Sequence, residues 1–317
     1  MAKKLAMIQN KGGSGKTTTT VNLIGALSVT EPDAKIALVG VDGQGNAASA
    51  FGIDPNSLEN TMYDVFMGNC DVEEVIIHNV LDRNIDIIPS NKDMNFLEFD
   101  DMARKEKIKD NRTYDFIQSF SSNPAGLLDL SKEELSSILN VGNTSENYFN
   151  MLQGKFDKID KEYDYILFDT PPEIKSVTSS VISIADSVII PFDPDVQSLE
   201  GIINILPRIQ SLKTEYNPNL QIAGILATQI RSTIRLHAQL TKQVMMFCMQ
   251  NGINYFETEI PMSSKFASIA ANTGLPGTLV EADDKFIKSY YDLLSELKQK
   301  NVLWGVKTWE EKILSKI

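Results

Sequence analysis

Residues 9–20 read Q-N-K-G-G-S-G-K-T-T-T-T, and this stretch decides the fold. Upstream lies a short apolar run, Leu5 to Ile8. Downstream, Val21, Leu23, Ile24 and Leu27 recur at helical spacing. Strand, glycine loop and helix in that order predict a phosphate cradle. Glycines let successive backbone N–H groups converge on phosphate oxygens without side chains in the way. The helix N-terminus adds free N–H groups and a favourable dipole. Gly12, Gly13, Ser14 and Gly15 would form the cradle, with Thr18 at its exit. Lys16 would reach the β- and γ-phosphates, and the Thr17 hydroxyl would ligate Mg²⁺. The usual pattern, G-x-x-x-x-G-K-[ST], is incomplete: its first glycine falls on Asn10, and Lys11 adds a second lysine.

Two carboxylates extend the reading. Tyr163 to Pro172 spells Y-D-Y-I-L-F-D-T-P-P. Tyr165 to Phe168 predicts a buried strand, and Asp169 closes it at the position of an acid that holds Mg²⁺ directly or through water. Lys35 to Asp42, K-I-A-L-V-G-V-D, is nearly continuous in apolar residues, as a parallel strand covered on both faces should be. It ends at Asp42, at the sheet edge where open α/β folds bind ligands. Gly40 and Gly43 flank that acid and predict a mobile loop.

The loop with its extra Lys11 resembles the deviant phosphate loop of the ParA, Soj and MinD ATPase group. Val39 to Asn46 resembles that family's V-D-x-D-P-Q-G-N phrase, with Gly40 and Gly43 as departures. Asp169-Thr170-Pro171-Pro172 resembles its D-T/C-P-P turn, and Pro89-Ser90-Asn91 its I-P-A/S-N segment. Residues 260–265, I-P-M-S-S-K, resemble I-P-R-N-x-R/K, with Met262 in place of the first basic residue. The resemblance implies ATP and Mg²⁺ as cofactors and Asp42 as the group that orients the attacking water. It implies that Lys11 acts in trans across an ATP-bound homodimer, and that the backbone at Pro261 touches adenine. It further implies nonspecific DNA binding and stimulation by a centromere-binding, ParB-like partner. Arg231, Arg235, Lys242 and Lys265 are the candidate DNA contacts. Arg235 matches the arginine of the family's R-L-S phrase, and Lys265 the second basic residue of I-P-R-N-x-R/K.

Seven or eight strands alternating with helices predict an α/β chain: a doubly wound, mostly parallel sheet of the deviant P-loop NTPase fold. One ATPase domain is expected over residues 1–300, with strands at Gln221 to Thr228 and Asn254 to Ile260 and a last helix from about Ala282 to Lys298. A helical insertion is expected near 97–160. Within it, Ser131 and Glu134 fit a capping box, and a helix from about Asn147 to Ile159 would carry Phe149, Leu152, Phe156 and Ile159 on one face. The insertion is either a partner surface or a surface elaboration. Residues 301–317 predict an amphipathic helical extension with Val302, Val306, Trp309, Ile313 and Ile317 at helical spacing. It could pack on its own domain, bind a partner or touch a membrane.

Bulk composition narrows the classes. The chain has 317 residues, 42% hydrophobic and 23% charged, with a formal net charge of −12. That charge disfavours a dedicated nucleic-acid module but leaves room for a local basic patch. No run approaches the roughly 18 apolar residues of a membrane span, and Met1 to Lys4 leads straight into the first strand. A cytoplasmic, nucleoid-associated protein is the expectation, with membrane binding disfavoured. Cys70 and Cys248 are too few for a disulfide scaffold or a cysteine metal site. The reading is therefore a partition ATPase that segregates plasmid or chromosomal DNA; the alternative is a MinD-like ATPase that positions another cargo or acts at the membrane.

Overall fold

The computed structural model describes residues 1–107, 149–195 and 197–303. Two compact units are present: residues 1–94 with the chain from 149 onward, and a unit beginning at Asn95. The first carries, among the described residues, six strands: β1 Lys3–Met7, β2 Ile36–Gly40, β3 Ile85–Ile88, β4 Tyr165–Asp169, β5 Ser187–Phe192 and β6 Gln221–Ala227. They form one parallel sheet in the order β3-β2-β4-β1-β5-β6. Every residue of β2 and β4 is buried, which is why these strands read as unbroken apolar runs rather than alternating ones. The connecting helices are α1 Lys16–Thr30, α2 Asn46–Ser49, α3 Met62–Met67, α4 Ser176–Ile184, α5 Ser198–Tyr216, α6 Arg235–Asn251, α7 Ser264–Thr273, α8 Gly277–Val280 and α9 Lys288–Gln299. The doubly wound parallel sheet expected from the sequence is the observed fold.

Register positions the site. Asp169 of β4 pairs with Met7 of β1 and with Gly40 of β2, so three strands end level on one edge. The loops leaving β1, β2 and β4 therefore meet there. Helix α1 is buried along nearly its whole length, from Thr19 to Ser28, and packs against β2, β4, α8 and α9. Gly25 permits that packing: a Cβ there would sit 2.2 Å from Thr278 Oγ1 and 3.2 Å from Leu279 Cγ. Thr278 Oγ1 in turn donates to Asn22 O at 2.9 Å. Gly25→Ala is accordingly expected to cost about 1–3 kcal/mol of stability through overpacking, read as a lower denaturation midpoint at unchanged slope.

Several local expectations give way to tertiary contacts. The strand expected over Asn254 to Ile260 is reduced to isolated bridges at Tyr255 and Pro261 beside Ile225 and Ile230. Between them the N–H groups of Glu257 and Thr258 donate to the two carboxylate oxygens of Glu296, each at 2.9 Å. A side chain of α9 thus takes the bonds that a strand ladder would need. The last helix begins at Lys288, not near Ala282. Asp284 Oδ1 accepts from Phe286 N at 2.8 Å, fixing a turn where the helical pattern alone suggests continuation. Residues 151–158 form successive turns, with Gly154 at φ 79°, and lead into a short 3₁₀ helix at Ile159–Lys161 rather than forming one regular helix. Their periodic apolar residues are nonetheless inward, with Leu152, Phe156 and Ile159 all buried. Val302 and Leu303 are buried in the core. The capping box at Ser131 and the stripe from Val306 to Ile317 lie outside the described residues.

Candidate functional site

The loop after β1 turns into α1 at Gly15, whose φ of 83° is open to glycine at little cost. From that helix start, Lys16 folds back over the loop. The residue is only 7% exposed, and its ammonium donates to Gln9 O at 3.1 Å and Lys11 O at 3.4 Å. Burial lowers its pKa, while Asp169 and Asp42 pull it the other way. One residue on, Thr17 Oγ1 donates to Asp169 Oδ2 at 2.8 Å.

Asp169 is wholly buried. Burial pushes its carboxyl up to about 7; the Thr17 hydrogen bond opposes the shift, Asp42 adds to it and Lys16 opposes it. Its Oδ1 has no hydrogen-bond partner among the described residues, and neither does the buried Ser14 Oγ. Buried oxygens without partners are costly. A divalent cation or its water at Asp169, and a phosphate oxygen accepting from Ser14, would relieve both. The residues present thus fit Mg²⁺ held by Thr17 and Asp169. Thr170 Oγ1 donates to Met7 O at 2.5 Å, fixing the start of the D-T-P-P turn to β1.

Asp42 lies two residues past the end of β2, not on its last residue. It lines the same cavity as the phosphate loop. The expected looseness around its two glycines is not what the geometry displays. Asp42 O accepts from Gly45 N at 3.0 Å and Ser90 Oγ at 2.6 Å, and Asp42 Oδ1 accepts from Gln44 N at 3.0 Å. The loop backbone is tied by these bonds, while among the described residues Asp42 Oδ2 takes no hydrogen bond.

The cavity measures about 610 Å³. Gly12 to Thr19 form one wall, including Gly12, Gly13, Ser14, Gly15, Lys16, Thr17 and Thr18. The other side is apolar, with Ile260, Pro261, Met262, Phe266 and Leu275. A polar phosphate end and an apolar end suit a nucleotide. Pro261 lines this apolar side, in the wall formed after Ile260.

Lys11 holds its ammonium between Asp193 Oδ2, at 3.1 Å, and Asp195 Oδ2. Burial lowers its pKa, and the two carboxylates more than offset that, leaving it above the ordinary lysine value. Asp193 and Asp195 follow on the end of β5, and sequence reasoning does not pair them with Lys11. It also misses three residues that brace the loop. Thr228 Oγ1 donates to Ser14 O at 2.9 Å, Gln229 Nε2 donates to Gly13 O, and Gln9 Nε2 donates to Pro191 O at 3.0 Å. A polar residue closing the apolar strand β6 on the ligand edge is the available signal for Thr228.

The candidate DNA contacts do not form one set. Lys265 Nζ is held by Glu281 at 3.0 Å and by Asp284. Arg231 Nε donates to Met262 Sδ at 2.7 Å. Arg235 and Lys242 are exposed on α6. Among the described residues no helix is long and apolar enough to cross a membrane.

The family described as "AAA domain" matches residues 2–123 and 108–222. The chain belongs to this AAA-domain family. Its deviant phosphate loop places it in the ParA, Soj and MinD superfamily of P-loop ATPases. A chromosome partitioning protein ParA of Myxococcus xanthus is 26% identical over 297 residues, 94% of this chain and 88% of that protein. The fold of this AAA-domain chain is also that of Cyanothece McdA in an ATP complex, with a TM-score of 0.68 at 17% identity over 97% of this chain and 99% of that one. It is likewise shared with a Mycobacterium smegmatis cobyrinic acid a,c-diamide synthase bound to an ATP analog and magnesium. That match has a TM-score of 0.66 at 20% identity and covers 93% of each chain.

Proposed function

We propose that this chain is a Mg²⁺-dependent ATPase that hydrolyses ATP to ADP and phosphate and acts as an ATP-bound homodimer. The observation that carries it is the convergence of Lys16, Thr17 and Asp42 on one cavity, with the buried Asp169 bonded to Thr17 directly beneath it. Bound Mg²⁺ would supply charge neutralisation at the β- and γ-phosphates. Gly12 to Thr18 hold the phosphates through backbone N–H groups, and Lys16 answers their charge. Thr17 and Asp169 provide the metal's oxygen ligands. Asp42, which lines the cavity, orients the attacking water. Lys11 serves the partner's nucleotide once it leaves Asp193 and Asp195.

The cargo in this reading is plasmid or chromosomal DNA, supported by the partitioning relatives and by the basic residues Arg231, Arg235 and Lys242. Contacts to phosphates would be nonspecific and salt-dependent. A centromere-binding, ParB-like partner would stimulate turnover. Lys265, already paired with two carboxylates, drops out of the contact set. A MinD-like role on another cargo remains the second reading, favoured by that loss and by Met262 at the usual basic position.

The test is mass measurement and DNA binding with ATP, ADP or neither. ATP alone should give dimers that bind duplex DNA and release it as salt rises. A mass that ignores nucleotide would overturn the dimer reading; ATP dimers that ignore DNA would shift the cargo to the second reading. Replacing Asp193→Asn and Asp195→Asn together should free Lys11 and raise the dimer fraction at limiting ATP about two- to fivefold, the scale of partly exposed ion pairs.

A further inference from the structure

Helix α6 carries a surface that the nucleotide site does not use. Its inward residues are Thr241, Val244 and Cys248. On the opposite side, Arg235, Gln239, Lys242, Met246 and Met249 are all exposed. Their spacing alternates four and three residues, which keeps them on one stripe of a helix. The stripe runs roughly 21 Å at 1.5 Å per residue. Its first half is basic and its second half is methionine, with Met246 50% and Met249 76% exposed and Met245, 40% exposed, on its flank. A three–four stripe with unpartnered methionines is the pattern of a helix seam, and methionine adapts to varied apolar partners.

Charge identifies what the seam takes. The chain holds 42 acidic residues, yet none falls between Tyr216 and Phe256. The seam therefore lies within an acid-free segment of a chain with net charge −12. Phosphate backbones would use Arg235 and Lys242 but have no use for exposed Met246 and Met249. An anionic, purely polar partner does not explain the apolar half, and a purely apolar one does not explain the basic half.

We propose that the outer stripe of α6 docks an amphipathic helix from another protein. That helix carries acidic residues opposite Arg235 and Lys242 and apolar residues at three–four spacing opposite Met246 and Met249. The proposal is independent of the nucleotide site, because none of these side chains lines that cavity, and it competes with the DNA contacts proposed above for Arg235 and Lys242.

The test uses the full chain and two labelled, stapled helical peptides of about 18 residues, long enough to span the stripe. One has leucines at three–four spacing in one half and glutamates in the other; the second has lysines for those glutamates. The glutamate peptide should bind and the lysine peptide should not. Met246→Glu with Met249→Glu should weaken binding at least about tenfold, with ATP turnover and thermal midpoint unchanged. Arg235→Glu with Lys242→Glu should reverse the preference between the peptides. Equal binding of both peptides, no binding, or binding untouched by the methionine changes would overturn the proposal. So would displacement of the peptide by random duplex DNA from a site that only the charge reversal destroys, which marks a nucleic-acid patch. Self-association abolished by the methionine changes would instead assign the stripe to a second copy of this chain and also overturn it.

Discussion

Lys16→Ala is expected to weaken nucleotide binding by roughly 30- to 4,000-fold, the equivalent of about 2–5 kcal/mol for removing one member of a buried charge contact. The argument rests on what surrounds the ammonium. It is buried and, among the described residues, donates only to the loop carbonyls of Gln9 and Lys11. Asp169 and Asp42 act on it through space, and neither accepts a hydrogen bond from it. Burial strengthens its attraction for a phosphate, since less water screens the pair. Alanine removes that charge and leaves the rest of the cradle, braced by Thr228 and Gln229, in position. Titration with a fluorescent ATP analogue measures the loss, and circular dichroism checks that the fold persists. Parental affinity in a folded variant would detach the loop from nucleotide binding.

Asp42→Ala should separate binding from turnover. Hydrolysis is expected to fall by about 10²–10⁴-fold, the usual contribution of a positioned acid–base group. ATP-dependent dimers should remain. The loop's main anchors run through the Asp42 carbonyl, which takes Gly45 N and Ser90 Oγ; among the described residues the carboxylate holds only Gln44 N. Truncating the side chain therefore removes the group facing the cavity and spares the backbone that shapes it. Single-turnover hydrolysis and dimer mass under the same conditions decide the matter. Turnover at the parental rate would refute the assigned role of Asp42.

The parts of this fold legible in the sequence are those where local pattern and tertiary demand agree. β2 and β4 are buried on both faces, so their composition announces them, and the polar residues Asp42 and Asp169 mark where they give out onto the ligand edge. Lys16 and Thr17 follow from a glycine loop whose spacing is set by phosphate geometry. What is not legible depends on partners distant in sequence. No local pattern reveals that Glu296 takes the N–H groups of Glu257 and Thr258, so a plausible strand is expected there and is absent. The start of α9 falls later than the apolar pattern suggests because Asp284 competes for Phe286 and Ile287 through its side chain. By sequence, Lys11 reads as a lysine awaiting another subunit; its pairing with Asp193 and Asp195 needs the loops after β1 and β5 brought side by side.

The interception by Glu296 has a consequence for how copies of this chain can associate. A sheet flank with free N–H and C=O groups invites another chain to extend it, which leads to uncontrolled polymerisation. Here the segment from Asn254 to Met262 covers β6, bonding to Ile225, Ala227 and Ile230. The N–H groups of Glu257 and Thr258 are already committed to a carboxylate. An incoming strand would find no continuous ladder at that margin. Growth by strand addition is closed at those residues, so self-recognition there must run through side chains and loops, which a bound ligand can make and unmake.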